Sequence, residues 1–228
     1  MLPNPPEVLQ EELERAETED QVVAALEHAY DAIDQLHDRY AGLNWIHLDC
    51  RKNCFWCCYL RVDARAHEVF TIARYVETNF TPEQRDALLE RLRQHSNRVK
   101  KLSYTQHMAT NVACPLLLDG ACSAYEVRPF GCRRHHSQRV QACEESFNHP
   151  TDLEAPGARH MGLFVTMTTA ERSLHAVFNR MGYDQNGYEL GTALLEALTN
   201  PKCWQRWKNK KKAFLIALTV PTDTKKGR

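Results

Sequence analysis

The window CRKNCFWCC, residues 50–58, sets Cys50, Cys54, Cys57 and Cys58 within nine positions, and Cys114, Cys122, Cys132 and Cys143 follow as a second group. Three kinds of chain gather thiols this way: a disulfide scaffold, a buried loop that happens to be cysteine-rich, and a ligand set for a metal or an iron–sulfur cluster. Small secreted scaffolds use disulfides in place of a core they are too short to build, whereas 228 residues are enough for a substantial one. Nine cysteines also leave such a framework with one thiol over. A buried thiol behaves as a small hydrophobe, which suffices for the isolated Cys203 beside Trp204 but not for eight in two groups. The ligand reading is the one that uses the pattern.

A metal centre needs thiolates converging from backbone held by turns, and C-x₂-C or C-x₃-C spacings let neighbouring sulfurs reach one centre from a single loop. Cys54 and Cys57 have that spacing. Adjacent Cys57 and Cys58 point in different directions, so they serve different metal atoms, or one ligates while the other packs. Soft sulfur donors favour zinc or iron–sulfur chemistry over magnesium or calcium. Four sulfurs per zinc permit two sites, whereas one cubane uses four and leaves others spare.

The rest of the composition narrows the class. An apolar fraction of 43% and a charged fraction of 25% match soluble globular proteins. Apolar runs are only a few residues long, and the opening MLPNPPEVLQEELE is acidic where a secretory signal is basic and then apolar. A cytoplasmic protein with no membrane partner is expected, in a compartment that disfavours structural disulfides. Net charge is zero, but residues 1–40 are strongly acidic and residues 202–228 strongly basic. The run KNKKK at 208–212 lacks an aromatic-interleaved basic face, so it reads as a solvated helix end and no nucleic-acid partner is expected.

Periodicity predicts a mainly α fold: a helical single domain over 1–228, with two cysteine-rich irregular loops converging on a metal centre. N-terminal helices occupy 1–48, a metal-binding region 49–145, C-terminal helices 146–212 and a basic tail 213–228. PNPP reads as an extended lead-in before Val8, Leu9 and Leu13. Thr18 and Gln21 form a capping box for a helix running to Gly42. His37 on its apolar face reads as a packed, hydrogen-bonded histidine rather than a ligand. Asp63 caps a helix ending near Phe80, and Thr81, Pro82 and Gln84 open the next. From Cys114 to Cys143, Pro115, Asp119-Gly120, Pro129 and Gly131 exclude a long helix. TDLEAPGARHMG is a further irregular connection, followed by helices over TTAERSLHAVFNRMG and YELGTALLEALTNP. Any strands are short.

CRKNCFWCC, CPLLLDGACSAYEVRPFGCRRHHS and the later ACE together resemble the YkgJ-type cysteine-cluster family, described as zinc- or iron-chelating proteins. The C-x₃-C-x₂-C-C spacing is similar to one branch of that family, while RRHH at 133–136 departs from it. The resemblance implies a bound iron–sulfur cluster, or zinc, on Cys50, Cys54, Cys57, Cys58, Cys114, Cys122, Cys132 and Cys143. The cysteine region is also similar to that of flagellin lysine N-methylases, where the link suggests an iron–sulfur centre tied to protein modification. It supplies no reaction.

Around the thiols, Arg128, Arg133 and Arg134 offset the negative charge of a cluster, or pair with Glu126, Glu144 or Glu145 on the surface. His135 and His136 complete a mixed zinc site, offer a proton to a substrate, or are solvated neighbours. Tyr125, Phe130, Phe55 and Trp56 form an apolar jacket or belong to the core. No P-loop, G-x-G-x-x-G, G-x-S-x-G or H-E-x-x-H is present, so any chemistry falls to the metal. The functional expectation is a metal-binding protein. The alternatives are a protein-modifying or redox enzyme acting on a protein partner or other substrate, and a metal storage or delivery protein.

Overall fold

The computed structural model describes residues 5–153 and 158–220, so the basic tail beyond Val220 lies outside the described residues. Within PNPP, a helix α1 (Pro5–Arg15) already begins at Pro5, a position where a missing N–H costs nothing. Its Leu9 and Leu13 are buried. The predicted capping box then starts α2 (Glu19–Ala41): Thr18 accepts from the Gln21 N–H, and Gln21 accepts in return from the Thr18 N–H. Val22, Leu26, Ala29, Tyr30 and Ile33 form its buried stripe, packed on α1.

Asp63 does not cap the following helix. Residues Asp63–Arg65 form β1, paired antiparallel with β4 (Gly187–Glu189), Asp63 opposite Glu189. The helix, α3 (Ala66–Asn79), begins after Arg65, whose N–H is bonded by Glu68 Oε2 at 2.7 Å. A pairing partner more than 120 residues away competes with the local cap and wins. The box of Thr81 and Gln84 opens α4 (Pro82–Val99) as expected, Pro82 in its first turn, and Leu88, Leu92 and Val99 are buried.

Further along come α5 (Tyr104–Met108), a two-residue hairpin β2 (Leu117–Leu118) and β3 (Ala121–Cys122), and the short helices α6 (Phe130–Arg133) and α7 (Val140–Asn148). The next helix, α8 (Met161–Arg180), starts seven residues before TTAERS, because the His160 ring accepts the Leu163 N–H and supplies a cap the sequence did not announce. α9 (Leu190–Thr199) packs against α3 and α4, while α8 packs against α1 and α2.

After α10 (Lys202–Lys208), the chain does not leave the body as a solvated tail. Ala213, Phe214 and Ala217 are buried, and one buried carboxylate, Glu196, accepts the N–H groups of Leu215, Ile216 and Ala217 at 2.8–2.9 Å. Phe214 joins Phe70, Trp204 and Trp207 in an aromatic cluster. The molecule is a single, mainly helical body with two small antiparallel strand pairs, and none of its described helices is long and apolar enough to cross a membrane.

Candidate metal centre

The thiol-bearing loops fold back on one another. Cys50, Cys54, Cys57, Cys58, Cys114, Cys122 and Cys132 line a single cavity of about 120 Å³, shared with His37, Arg128, His135 and His136. Cys143 lines a much smaller space of about 10 Å³ together with Cys50, Cys54 and Cys57, where His135 again forms part of the wall. All eight side chains are half-buried and none is in a disulfide, as expected of groups that face an internal space rather than solvent or packed core. Cys203 is fully buried elsewhere, its Sγ 3.6 Å from the Glu196 carbonyl.

Local geometry brings the sulfurs there. Asn53 takes a positive φ of 70°, closing a turn in which the Cys54 N–H reaches the Arg51 carbonyl, and Trp56–Tyr59 then form one 3-10 turn carrying Cys57 and Cys58. The Cys114 N–H donates to the Cys58 carbonyl at 2.8 Å, joining the two cysteine groups directly. Asp119 and Gly120, both at positive φ, make the hairpin turn that returns Cys122 toward the loop carrying Cys114; a turn of this kind wants glycine or Asp/Asn at both centres.

Three thiol-bearing segments are held by side chains from elsewhere, two by a carboxylate and one by a histidine–carboxylate pair. Glu68 Oε1 accepts the Phe130 N–H at 2.7 Å, fixing the start of α6 and hence Cys132. Asp49 Oδ2 accepts the Val140 N–H at 2.9 Å at the start of α7, which bears Cys143, while the Asp49 and Cys50 N–H groups both reach the Ser137 carbonyl. The third link runs through His95, whose Nε2 lies 2.9 Å from Glu189 Oε1 and whose Nδ1 lies 3.2 Å from the Ala113 carbonyl, next to Cys114. Both contacts are to acceptors, so the ring bridges the Glu189 carboxylate and the Ala113 carbonyl. Gly191 is required beside it, since a Cβ there would collide with the His95 ring.

The electrostatics follow from burial. Burial pushes the Cys50 thiol up to about 11, against the Ser137 N–H that favours its thiolate. The Cys58 hydrogen bond and then burial raise Cys57, and burial raises Cys54, Cys114, Cys122 and Cys132. Collecting several thiolates in this space therefore calls for a cationic occupant, and its uptake releases protons. Arg128 lies on the wall, its guanidinium 3.9 Å from the Tyr125 ring centre. Arg133 does not line the cavity. It is buried outside that lining, where its guanidinium bonds the Arg128 and Glu126 carbonyls and the Asp34 carboxylate, so it clamps the loop.

His135 and His136 both reach the wall, and burial keeps both rings neutral, His136 at about 4. His136 Nε2 donates to the Arg133 carbonyl at 2.5 Å. Phe130 belongs to the core, edge-on to Tyr30, whereas Tyr125 lines the cavity. His37 is packed and hydrogen-bonded as expected, its Nδ1 2.9 Å from Asp38 Oδ1 and its ring stacked on His136 at 4.4 Å, and it also sits on the cavity wall, which the sequence did not announce. Its spacing on the apolar stripe of α2 was the only signal, and that signal is the same for a core histidine.

No three cysteine sulfurs lie within 4.8 Å of one another; among the described residues the set that does so is His67, Glu68 and His175. In that set Glu68 accepts the Arg65 and Phe130 N–H groups, Arg65 Nε donates to His175 Nδ1 and Tyr30 bonds His67 Nδ1, while the Nε2 atoms of His67 and His175 have no hydrogen-bond partner; none of the three lines the thiol cavity. A mononuclear tetrahedral zinc thiolate needs sulfurs about 3.8 Å apart, given Zn–S bonds of about 2.3 Å. The wider spread suits ligands distributed over several metal atoms.

No family model, curated protein or solved structure matches the chain. The resemblance to the cysteine-cluster family thus stands on the quoted motifs alone.

A cleft of about 330 Å³ adjoins the thiols, meeting them at Cys57 and Cys143 and floored by Trp56 and Phe147, with His135 and Arg159 on its walls. Its volume is at the lower end of the range for small-molecule sites.

Proposed function

We propose that this chain is a metal-binding protein whose clustered thiolates hold an iron–sulfur cluster, with zinc as the alternative metal. The observation that carries the reading is the cavity walled by seven thiols from separate stretches of chain. The donor set is soft, the thiols are too dispersed for one zinc without contraction, and the buried walls would shield a cluster from water. Arg128 offsets part of the negative charge that four ligating thiolates bring, and Tyr125 covers the site. When bound, the cluster would supply one-electron redox or Lewis-acid chemistry, while the chain's own residues position and desolvate it.

The test is metal and sulfide analysis of protein purified without oxygen. Iron and sulfide in equal amounts, with a brown colour from charge-transfer absorption, are expected; colourless protein with stoichiometric zinc selects the zinc version. Cys54→Ser and Cys132→Ser should lose the metal and melt at lower temperature, since a structural metal's binding energy is also folding energy. Cys203→Ser should keep both. Equal metal content in all three variants would remove the assignment.

The adjoining cleft favours a second reading, that the centre belongs to a protein-modifying or redox enzyme. A closed structural site needs no opening of substrate size beside its ligands.

A further inference from the structure

We infer that His37, from the C-terminal end of α2, supplies a nitrogen ligand to the thiol-bound centre, an assignment that rests on the metal-binding reading above. His37 Nδ1 lies 2.9 Å from Asp38 Oδ1, an acceptor, so Nδ1 donates and, in the neutral ring that a metal binds, Nε2 carries the lone pair. That Nε2 is shielded from solvent and has no hydrogen-bond partner. A buried acceptor without a partner is unfavourable, and such atoms call for an explanation by a group that the site binds. The ring that bears this unmatched atom lines the same cavity as Cys50, Cys54 and Cys132.

The remaining contacts of His37 are those of a ligand. A metal-bound histidine characteristically donates its other ring N–H to a carboxylate, which fixes the tautomer and raises the basicity of the ligating nitrogen; Asp38 does this here. Stacking on His136, whose own Nε2–H is tied to the Arg133 carbonyl, sets the ring plane. The other histidines with unmatched buried nitrogens, His67 and His175, do not line the thiol cavity.

A nitrogen ligand of this kind has two consequences. It joins the N-terminal helices to the cysteine loops through the metal, so the centre bridges α2 and residues 50–132. It also replaces an anionic thiolate by a neutral imidazole, which raises the reduction potential of an iron–sulfur centre relative to all-cysteine ligation.

The experiment uses full-length protein purified without oxygen from cells supplied with isotopically labelled histidine, reduced and examined by pulsed EPR; cobalt-substituted protein serves for the zinc version. Histidine nitrogen coupling to the centre is expected in the wild type and absent in His37→Ala, or in His37→Gln should the alanine variant fold poorly. His37→Ala should also surrender its metal to a chelator about ten-fold faster, and His37→Cys should restore retention with a lower potential. Nitrogen coupling that survives in the His37 variants, or metal-loaded wild type without such coupling, overturns the His37 assignment and leaves the thiol reading intact. Wild-type protein that takes up no metal overturns both.

Discussion

The helical frame and the thiol-bearing region of this molecule are held by different kinds of bond. In the frame, α1 to α4, α8 and α9 meet through fully buried aliphatic side chains such as Leu9, Leu26, Leu92 and Leu163. Between Asp49 and Asn148, outside α3 and α4, the regular elements are short, and the segments that carry thiols are fixed to the frame by single carboxylates on backbone N–H groups or by the His95–Glu189 pair. Apolar burial is non-directional and tolerates small shifts, whereas a hydrogen bond sets position and orientation. The frame therefore supplies stability, and the carboxylate ties supply the geometry of the cavity.

The sharpest break between the two regions is a core truncation. Leu92 is fully buried where α4 meets α9, and Leu92→Ala is expected to cost about 2–5 kcal/mol and lower Tm by roughly 10 °C. Metal content per folded molecule should not change. If calorimetry shows the stability loss while the folded fraction also loses its metal in proportion, the two regions are one cooperative unit and the comparison fails.

Acid should act on the ties before it acts on the frame. Burial alone would raise Glu189, but the His95 hydrogen bond and charge, with the Thr192 and Gly191 N–H groups, outweigh it and hold the carboxyl at about 2. A folded value below the ordinary 4.5 means a contribution present above that pH and lost as pH falls from about 4.5 to 2, on the order of 3 kcal/mol in full. Glu68 has the opposite sign. Burial raises it to about 7 despite the Arg65 and Phe130 N–H groups, so its protonation favours the folded state as pH falls from 7 toward 4.5. Urea midpoints against pH should hold or rise above about 4.5 and drop below it, and Glu189→Gln should flatten the acid limb. An unchanged acid limb in that variant would show that the pair does not anchor the Cys114 segment.

How much of this was legible in the sequence follows the same division. The stripe of Val22, Leu26, Ala29 and Ile33, and the boxes at Thr18 and Thr81, are local signals that fix α2 and α4 without reference to anything distant. Asp63 and the start of α8 were misread because a strand partner at residues 187–189 and a histidine cap at His160 override local preference. For the site, the cysteine spacing announced which thiols to group, but not that Arg133 turns away to bond Asp34 or that His37 faces the cavity. Those outcomes depend on how α6 packs against α2, which no short window encodes.

The smallest expected effect on stability is at Asp49, and it separates the two kinds of bond most cleanly. The side chain is at the surface end of the site, yet its Oδ2 is the acceptor at the start of α7, where Arg139, the residue in the capping position, supplies no side-chain bond of its own. The Val140 N–H, followed by burial that opposes it and His47 that reinforces it, holds the Asp49 carboxyl below its ordinary range, so the tie persists at neutral pH. Asp49→Ala should leave Tm nearly unchanged, because α7 buries little apart from Ala142. It should nevertheless free α7 to rotate Cys143 away from Cys50 and Cys54, weakening metal retention about ten-fold in a chelator competition. Asp49→Asn keeps an oxygen acceptor and should recover most of that loss. A Tm drop without a change in retention would place Asp49 with the frame instead, and the carboxylate ties would then no longer account for how the loops converge.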